Sequence, residues 1–244
     1  MRLDKLLSVA AVATRSETAR AVRTGQITVN GTPARRADMQ VDPAKDAVLY
    51  EGEPVIYKQF RYVLLNKPDG YVSATEDGRD PTVLELLPES LAAQGLFPCG
   101  RLDKHTLGLM LLTNNGELSH RLLSPRRHVT KKYAFRAKFP ISKEDCIKFR
   151  SGLVLEDGYE TKPAEIELFE DGRSGIITLT EGKYHQIKRM LEALHNQITA
   201  LERISFGPLL LDEGLSRGEW RELAPDEEAA LFVAAELDPA TQKK

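Results

Sequence analysis

From Leu107 to Leu112 the chain reads Leu-Gly-Leu-Met-Leu-Leu without one polar side chain, and Asn114-Asn115-Gly116 stops it. A run this short, ended by turn residues, predicts a buried strand. Such a strand needs neighbours, so it commits this part of the chain to a sheet interior. Tyr62-Val63-Leu64-Leu65 is a second apolar strand, ended by Asn66-Lys67-Pro68-Asp69-Gly70. Further strands are predicted at about 131–138, 164–169 and 175–180, and helices near 82–87, 117–123, 142–150 and 185–194. Interleaving of this kind without a regular βαβ alternation predicts an α+β fold, a mostly antiparallel mixed β-sheet flanked by helices.

Ahead of that sheet lies a smaller unit. Leu3, Leu6, Leu7 and Ala10 fall at helical spacing and predict a helix over residues 2–10. A second helix is predicted at about 17–24, with Ser16 as N-cap, Ala19 and Val22 facing inward and Gly25 as the left-handed stop. Ile27-Thr28-Val29 then enters the tight turn Asn30-Gly31. Arg15, Arg20 and Arg23 lie off the apolar face of the second helix. Two short helices, a strand and exposed arginines suggest a small α/β nucleic-acid-binding domain. The turn-rich stretch from Asp42-Pro43 to Glu53-Pro54 places its boundary near residue 58. The expected organisation is therefore 1–58, a larger domain over 59–237 and a polar tail at Asp238–Lys244. A chain of 244 residues with 41% hydrophobic side chains accommodates both domains.

Several classes are excluded at this level. No apolar run approaches the eighteen residues of a membrane-spanning helix. Met1-Arg2-Leu3-Asp4-Lys5 has an acid and amphipathic spacing where a secretory signal needs a continuous apolar stretch. Cys99 and Cys146 are too few and too far apart for a disulfide framework or a zinc knuckle. The expectation is a reduced, cytoplasmic protein with no membrane partner and no structural metal.

The net charge of −2 is uninformative, but its distribution is not. Residues 1–36 carry a local +5 and residues 101–150 a local +8, with no acid between Leu118 and Lys143. From Asp212 to Asp238 nine acids stand against Arg217 and Arg221. Two basic zones on an acidic chain fit a polyanion footprint on one side, although solvated charge scatter is equally compatible.

Common site patterns are absent: no Walker loop, dinucleotide fingerprint, His-Glu-x-x-His or elbow serine occurs. His105, His120, His128, His185 and His195 show no ligand pairing. Four loops are richer than connections require. They are Asn66–Ser73; Gly100-Arg101-Leu102-Asp103-Lys104-His105-Thr106-Leu107-Gly108; Lys131-Lys132-Tyr133; and Glu181-Gly182-Lys183-Tyr184-His185-Gln186-Ile187-Lys188-Arg189-Met190. Taken singly, Asp103 reads as a turn aspartate beside Arg101, Tyr133 as a core strand tyrosine, and Lys188 with Arg189 as a solvated helix face.

Together these motifs resemble a pseudouridine synthase, and within that group the subfamily named for ribosomal small subunit pseudouridine synthase A. Leu201-x-Arg203, Phe206-Gly207-Pro208-Leu209 and Gly218-Glu219-Trp220-Arg221-Glu222-Leu223 extend the likeness over about residues 2–231. The N-terminal unit resembles the small RNA-binding domain of ribosomal protein S-four. One departure is Ala11, where that domain commonly carries glycine.

The resemblance implies isomerisation of uridine to pseudouridine, which requires no cofactor. It implies ribosomal RNA as the partner, through 16S rRNA of the small subunit at a site of the uridine-516 type, with 23S rRNA or transfer RNA as alternatives, acted on by a monomer. It assigns Asp103 as nucleophile or as the base acting on the sugar, and Tyr133 as the residue packing on the uracil and serving as general base. A partly buried carboxylate needs a cation to hold it ionised, and Lys188, rather than Arg189, matches the family's basic partner. Arg101 would position a phosphate or help displace the target base. The expected RNA footprint is Arg15, Arg20, Arg23, Lys67, Arg101, Arg126, Arg127, Lys131, Lys132 and Arg189. Two other classes remain open: a non-catalytic RNA-binding assembly factor, and a carboxylate hydrolase using Asp103 with His105.

Overall fold

The computed structural model describes residues 1–10 and 12–239. Ala11 and all but the first two residues of the polar tail therefore lie outside the described residues. The chain divides into two compact units: Met1–Arg61 with Leu87–Leu96, and Tyr62–Leu86 with the chain from Phe97 onward.

In the first unit, α1 (Leu3–Val9) buries Leu3, Leu6 and Leu7. Helix α2 (Arg15–Arg23) begins two residues earlier than the sequence suggests, and its cap is Thr14, not Ser16. Thr14-Arg15-Ser16-Glu17 forms a capping box: the Glu17 amide donates to the Thr14 hydroxyl at 3.3 Å, and the Thr14 amide donates to the Glu17 carboxylate at 2.8 Å. Ser16 has Ala19 three residues on and cannot close such a box. The earlier start buries Thr18 and Ala21, leaving Ala19 and Val22 half-buried. Strands β1 (Ile27–Val29), β2 (Thr32–Pro33), β3 (Val48–Tyr50) and β4 (Glu53–Pro54) form an antiparallel sheet in the order β2-β1-β3-β4. Asn30 and Gly31 join β1 to β2 with φ of 52° and 76°, the signature of a two-residue hairpin turn. The core joins Leu3, Leu6, Leu7 and Ala21 to Ile27, Val41 and Val48. Arg15, Arg20 and Arg23 are exposed. A short helix, α3 (Glu89–Ala92), belongs to this unit.

The second unit is built on β5 (Tyr62–Lys67), β6 (Phe97–Pro98), β7 (Leu107–Thr113), β8 (Lys131–Ala137), β9 (Glu165–Leu168), β10 (Ser174–Leu179), β11 (Ile198–Phe206), β12 (Leu209–Leu210) and β13 (Trp220–Glu222). Its helices are α4 (Gly116–Leu123), α5 (Lys143–Ser151), α6 (Gln186–Glu192) and α7 (Pro225–Ala234). The sheet runs β13-β5-β7-β11-β8-β10-β9, with β6 on β7 and β12 on β11. Every named strand pairing among the described residues is antiparallel except β7 with β11. The apolar run at Leu109–Leu112 is fully buried between β5 and β11.

Two expectations change here. The helix predicted at 82–87 is a single 3-10 turn, Val83–Leu86. Leu87 then precedes Pro88, and a residue before proline is held out of the helical region. Conversely, the sequence pattern predicts no strand at β11, which joins β7 to β8. Its sequence Ile-Thr-Ala-Leu-Glu-Arg-Ile-Ser-Phe carries an arginine at an inward position, and register shifts at Ile198/Ala200 and Arg203/Ser205 break its two-residue period.

Candidate active site

The second unit contains a cavity of about 450 Å³ whose walls include Asp103, Tyr133, Glu181, Lys188, Lys131 and Arg203. Asp103 stands in the loop between β6 and β7. That loop is pinned from below by Lys67, whose side chain is 0% exposed. The Lys67 ammonium donates to the carbonyls of Pro68, Lys104 and Thr106 at 3.1, 3.0 and 2.9 Å. Burial pushes its pKa down to about 8, against the pull of Asp69 and Asp103. From the side, Ser73 Oγ donates to the Leu102 carbonyl at 2.8 Å and accepts from the Leu102 amide at 2.9 Å.

Just past the loop, Gly108 stands second in β7 for a steric reason. It has φ +95°, and a Cβ there would lie 2.4 Å from the Arg203 carbonyl oxygen on β11. Only glycine lets β7 approach β11 in the register that pairs Gly108 with Arg203.

Helix α6 supplies the opposite wall. Ile187, Met190 and Leu191 face the core, and Lys188 falls on the other side. Lys188 Nζ lies 2.6 Å from Asp103 Oδ2. His185, at the N-cap with φ 50°, brings Nε2 to 3.4 Å from Asp103 Oδ1 and stacks on Tyr184 at 3.8 Å between ring centroids. The entry to α6 is fixed by the buried Glu181 carboxylate, which accepts from Tyr159 Oη at 2.7 Å, the Lys162 amide at 2.9 Å and Gln186 Nε2 at 2.6 Å. The bond to Glu181 pushes the Tyr159 phenol up to about 12. Gln186 in turn accepts from the Lys183 amide at 2.9 Å.

Strand β8 forms the floor. Its strict alternation turns Lys131, Tyr133, Phe135 and Ala137 inward and leaves Lys132 and Arg136 exposed. Tyr133 pairs with Ile177 on β10 and Arg203 on β11 and lines the cavity.

The structure thus brings Asp103, Tyr133 and Lys188 to one cavity. Arg189 turns from it and pairs with Asp157 at 2.5 Å, holding that carboxyl below the usual range. Arg101 is exposed at the cavity, and Arg126 and Lys132 are exposed. Besides Arg189, three members of the expected RNA footprint are placed otherwise. Lys67 is spent on backbone carbonyls under the Asp103 loop. The buried Lys131 ammonium donates to the Val129 carbonyl at 3.0 Å. Arg127 is paired with the Glu236 carboxylate. Composition cannot separate a buried lysine from a solvated one; for Lys131 the inward parity shared with Tyr133 was the available signal. His105 does not serve Asp103 either: its ring bonds to Asp69 at 2.8 Å, and His185 takes the neighbouring position. The hydrolase pairing is therefore not formed. Arg203, Thr106, Glu181 and Tyr159 line the cavity without having been read as site residues. Among the described residues no cluster of three or more His, Cys, Asp or Glu side chains could hold a metal ion.

Comparison with known proteins gives two family matches. The RNA pseudouridylate synthase model covers residues 61–193, and the S4 domain model covers residues 1–48. An RNA pseudouridine synthase of Bacillus subtilis, YtzG, is 47% identical over 231 residues, 93% of this chain and 96% of that protein. Ribosomal small subunit pseudouridine synthase A of Yersinia pestis is 39% identical over 235 residues, covering 95% and 98%. The Escherichia coli (strain K12) protein of the same name is 38% identical over 233 residues, covering 95% and 100%. A crystal structure of a pseudouridylate synthase superposes with a TM-score of 0.67 at 35% identity, over 95% of this chain and 99% of that one.

Proposed function

Because the chain belongs to the RNA pseudouridylate synthase family, we propose that it converts one uridine of ribosomal RNA, in 16S rRNA of the small subunit, into pseudouridine in the cavity around Asp103. The observation that carries this reading is the Asp103–Lys188 pair, closed at 2.6 Å in a cavity that Tyr133 also lines. The choice of 16S rRNA is supported by relatives of 38–39% identity that carry the small-subunit name over nearly their whole length.

The reaction detaches uracil from C1′ of the ribose and rejoins it through carbon-5. Atoms and oxidation state are unchanged, so side chains suffice. The target nucleotide must leave its stack, at a cost of a few kcal/mol. Asp103 acts at the sugar, bonding C1′ or taking the C2′ proton. Lys188 occupies Oδ2 and fixes the carboxylate's orientation for either role. Tyr133 packs on the uracil and takes the carbon-5 proton.

Phosphate contacts come from Arg15, Arg20 and Arg23 in the N-terminal RNA-binding part, residues 1–58. The catalytic part, residues 59–237, adds Arg101, Arg126 and Lys132. The protein acts as a monomer in the cytoplasm; among the described residues no helix is long and apolar enough to cross a membrane.

Carbodiimide mapping of both large rRNAs and of tRNA, from a deletion strain carrying the wild-type gene or Asp103→Asn, tests this. The expected result is a 16S rRNA stop with the wild type that disappears with Asp103→Asn. A stop in 23S rRNA or tRNA instead would move the substrate. No stop in any RNA, despite tight RNA binding, would leave the assembly-factor reading.

A further inference from the structure

Lys131 and Arg203 are two cations in the cavity wall that the chemistry above does not use. They are 8% and 1% exposed. Arg203 Nε donates to the Leu109 carbonyl at 2.7 Å, and Lys131 Nζ to the Val129 carbonyl at 3.0 Å. Both stand over the Phe206 ring, the Arg203 Cζ at 5.2 Å and the Lys131 Nζ at 5.5 Å from its centroid. Among the described residues, no carboxylate forms an ion pair with either. The charged or titratable groups set against Lys131 are Arg203 from β11, Cys99 ahead of β7, and Tyr133 two residues along its own strand face. Thr106, 2% exposed, lines the same cavity with its hydroxyl unpaired.

An unpaired buried cation is costly, and two that repel each other are worse. The arrangement becomes favourable once negative charge enters the cavity. The proposed reaction, on which this inference rests, generates that charge. Breaking the N1–C1′ bond leaves its electron pair on the uracil, spread over N1, O2 and O4. When carbon-5 bonds to C1′ the charge returns to the Asp103 carboxylate, as the Asp103–C1′ bond breaks or the proton taken from C2′ goes back; the carbon-5 proton then leaves and N1 takes one up.

We propose that Lys131 and Arg203 hold the cavity floor at positive potential and stabilise the detached uracil anion between the two bond changes. Their charges are fixed in place before the reaction starts, so no solvent reorganisation is needed when the anion forms. Burial and the Arg203 charge push Lys131 down to about 8. The contribution is therefore present at neutral pH and is lost as pH rises through that value.

The test is single-turnover release of tritium from [5-³H]uridine-labelled, unmodified 16S rRNA in small-subunit particles, with wild type, Lys131→Met and Lys131→Arg. For Lys131→Met the expected result is a rate lower by about 10²-fold, an RNA Kd within about twofold of wild type and a Tm no lower than wild type, since an apolar side chain replaces an unpaired cation. Lys131→Arg should restore most of the rate. It should also hold that rate above pH 8, where the wild-type rate falls. Should Lys131→Met fail to fold, the pH profiles of wild type and Lys131→Arg decide: an alkaline fall that stays in place overturns the inference. Wild-type release with equal release from Lys131→Met overturns it too, and leaves the proposed reaction standing. No release from the wild type overturns both.

Discussion

Lys188 Nζ meets Asp103 Oδ2 at 2.6 Å, while Arg189, the next residue on α6, pairs with Asp157 instead. Helical geometry sends adjacent side chains about 100° apart, so the two cations of Lys188-Arg189 serve different partners. Lys188→Met should lower the single-turnover rate by about 10²–10³-fold, the scale for removing one preorganised charge at a reacting centre. The pair is a quarter exposed, so Tm should move by little. Arg189→Met should leave the rate within a few-fold of wild type. Rapid-quench assays on both variants check this.

Lys67 gives the opposite pattern. Lys67→Met strips donors from three carbonyls under the Asp103 loop, so stability should fall by about 2–4 kcal/mol along with activity. Urea unfolding of Lys67→Met beside Lys188→Met separates a residue that holds the loop from one that faces the substrate.

Gly108→Ala should be still less tolerated. The added methyl would sit 2.4 Å from a backbone oxygen at a φ of +95°, and neither β7 nor β11 can yield without breaking the sheet. A loss of about 3 kcal/mol or more is expected in urea unfolding.

The buried lysines also predict a pH dependence of stability. Folded Lys67 and Lys131 titrate near 8, against an ordinary value of 10.5. Between those limits the unfolded chain binds more protons than the folded one, so stability should rise as pH increases from about 8 toward 10. Below 8 both states are protonated and this contribution is flat. Urea midpoints across that range should climb for the wild type and climb less for Lys131→Met.

RNA affinity should divide the basic residues by exposure. Replacing Arg15, Arg20 and Arg23 with alanine should lower the slope of log K against log salt by about 0.7 per lost phosphate contact on single-stranded RNA. Lys131→Met should leave that slope unchanged. Filter binding across a salt series checks both.

Much of this was legible in the residues. The β7 run, the Asn30-Gly31 turn and the α4 and α5 starts follow from local rules, and they formed within a residue of where those rules place them. Asp103, Tyr133 and Lys188 could be gathered only through the motif likeness, because the spacing between them carries no geometric information. What escaped was non-local. The cap at Thr14 competes with an equally good serine two residues on, and only the Glu17 interaction decides it. The strand β11 is disguised by its bulges and by Arg203. The burial of Lys67 and Lys131 depends on carbonyls and rings contributed by distant segments.

In the proposed reaction, Asp103 reacts at the ribose of a uridine held in this cavity. The most direct measurement is tritium release from [5-³H]uridine-labelled small-subunit particles by purified wild type and Asp103→Asn, with RNA Kd measured on the same samples. Stoichiometric release is expected from the wild type and, for Asp103→Asn, a loss of more than about 10³-fold at unchanged Kd. Wild-type release by Asp103→Asn would contradict this role for Asp103.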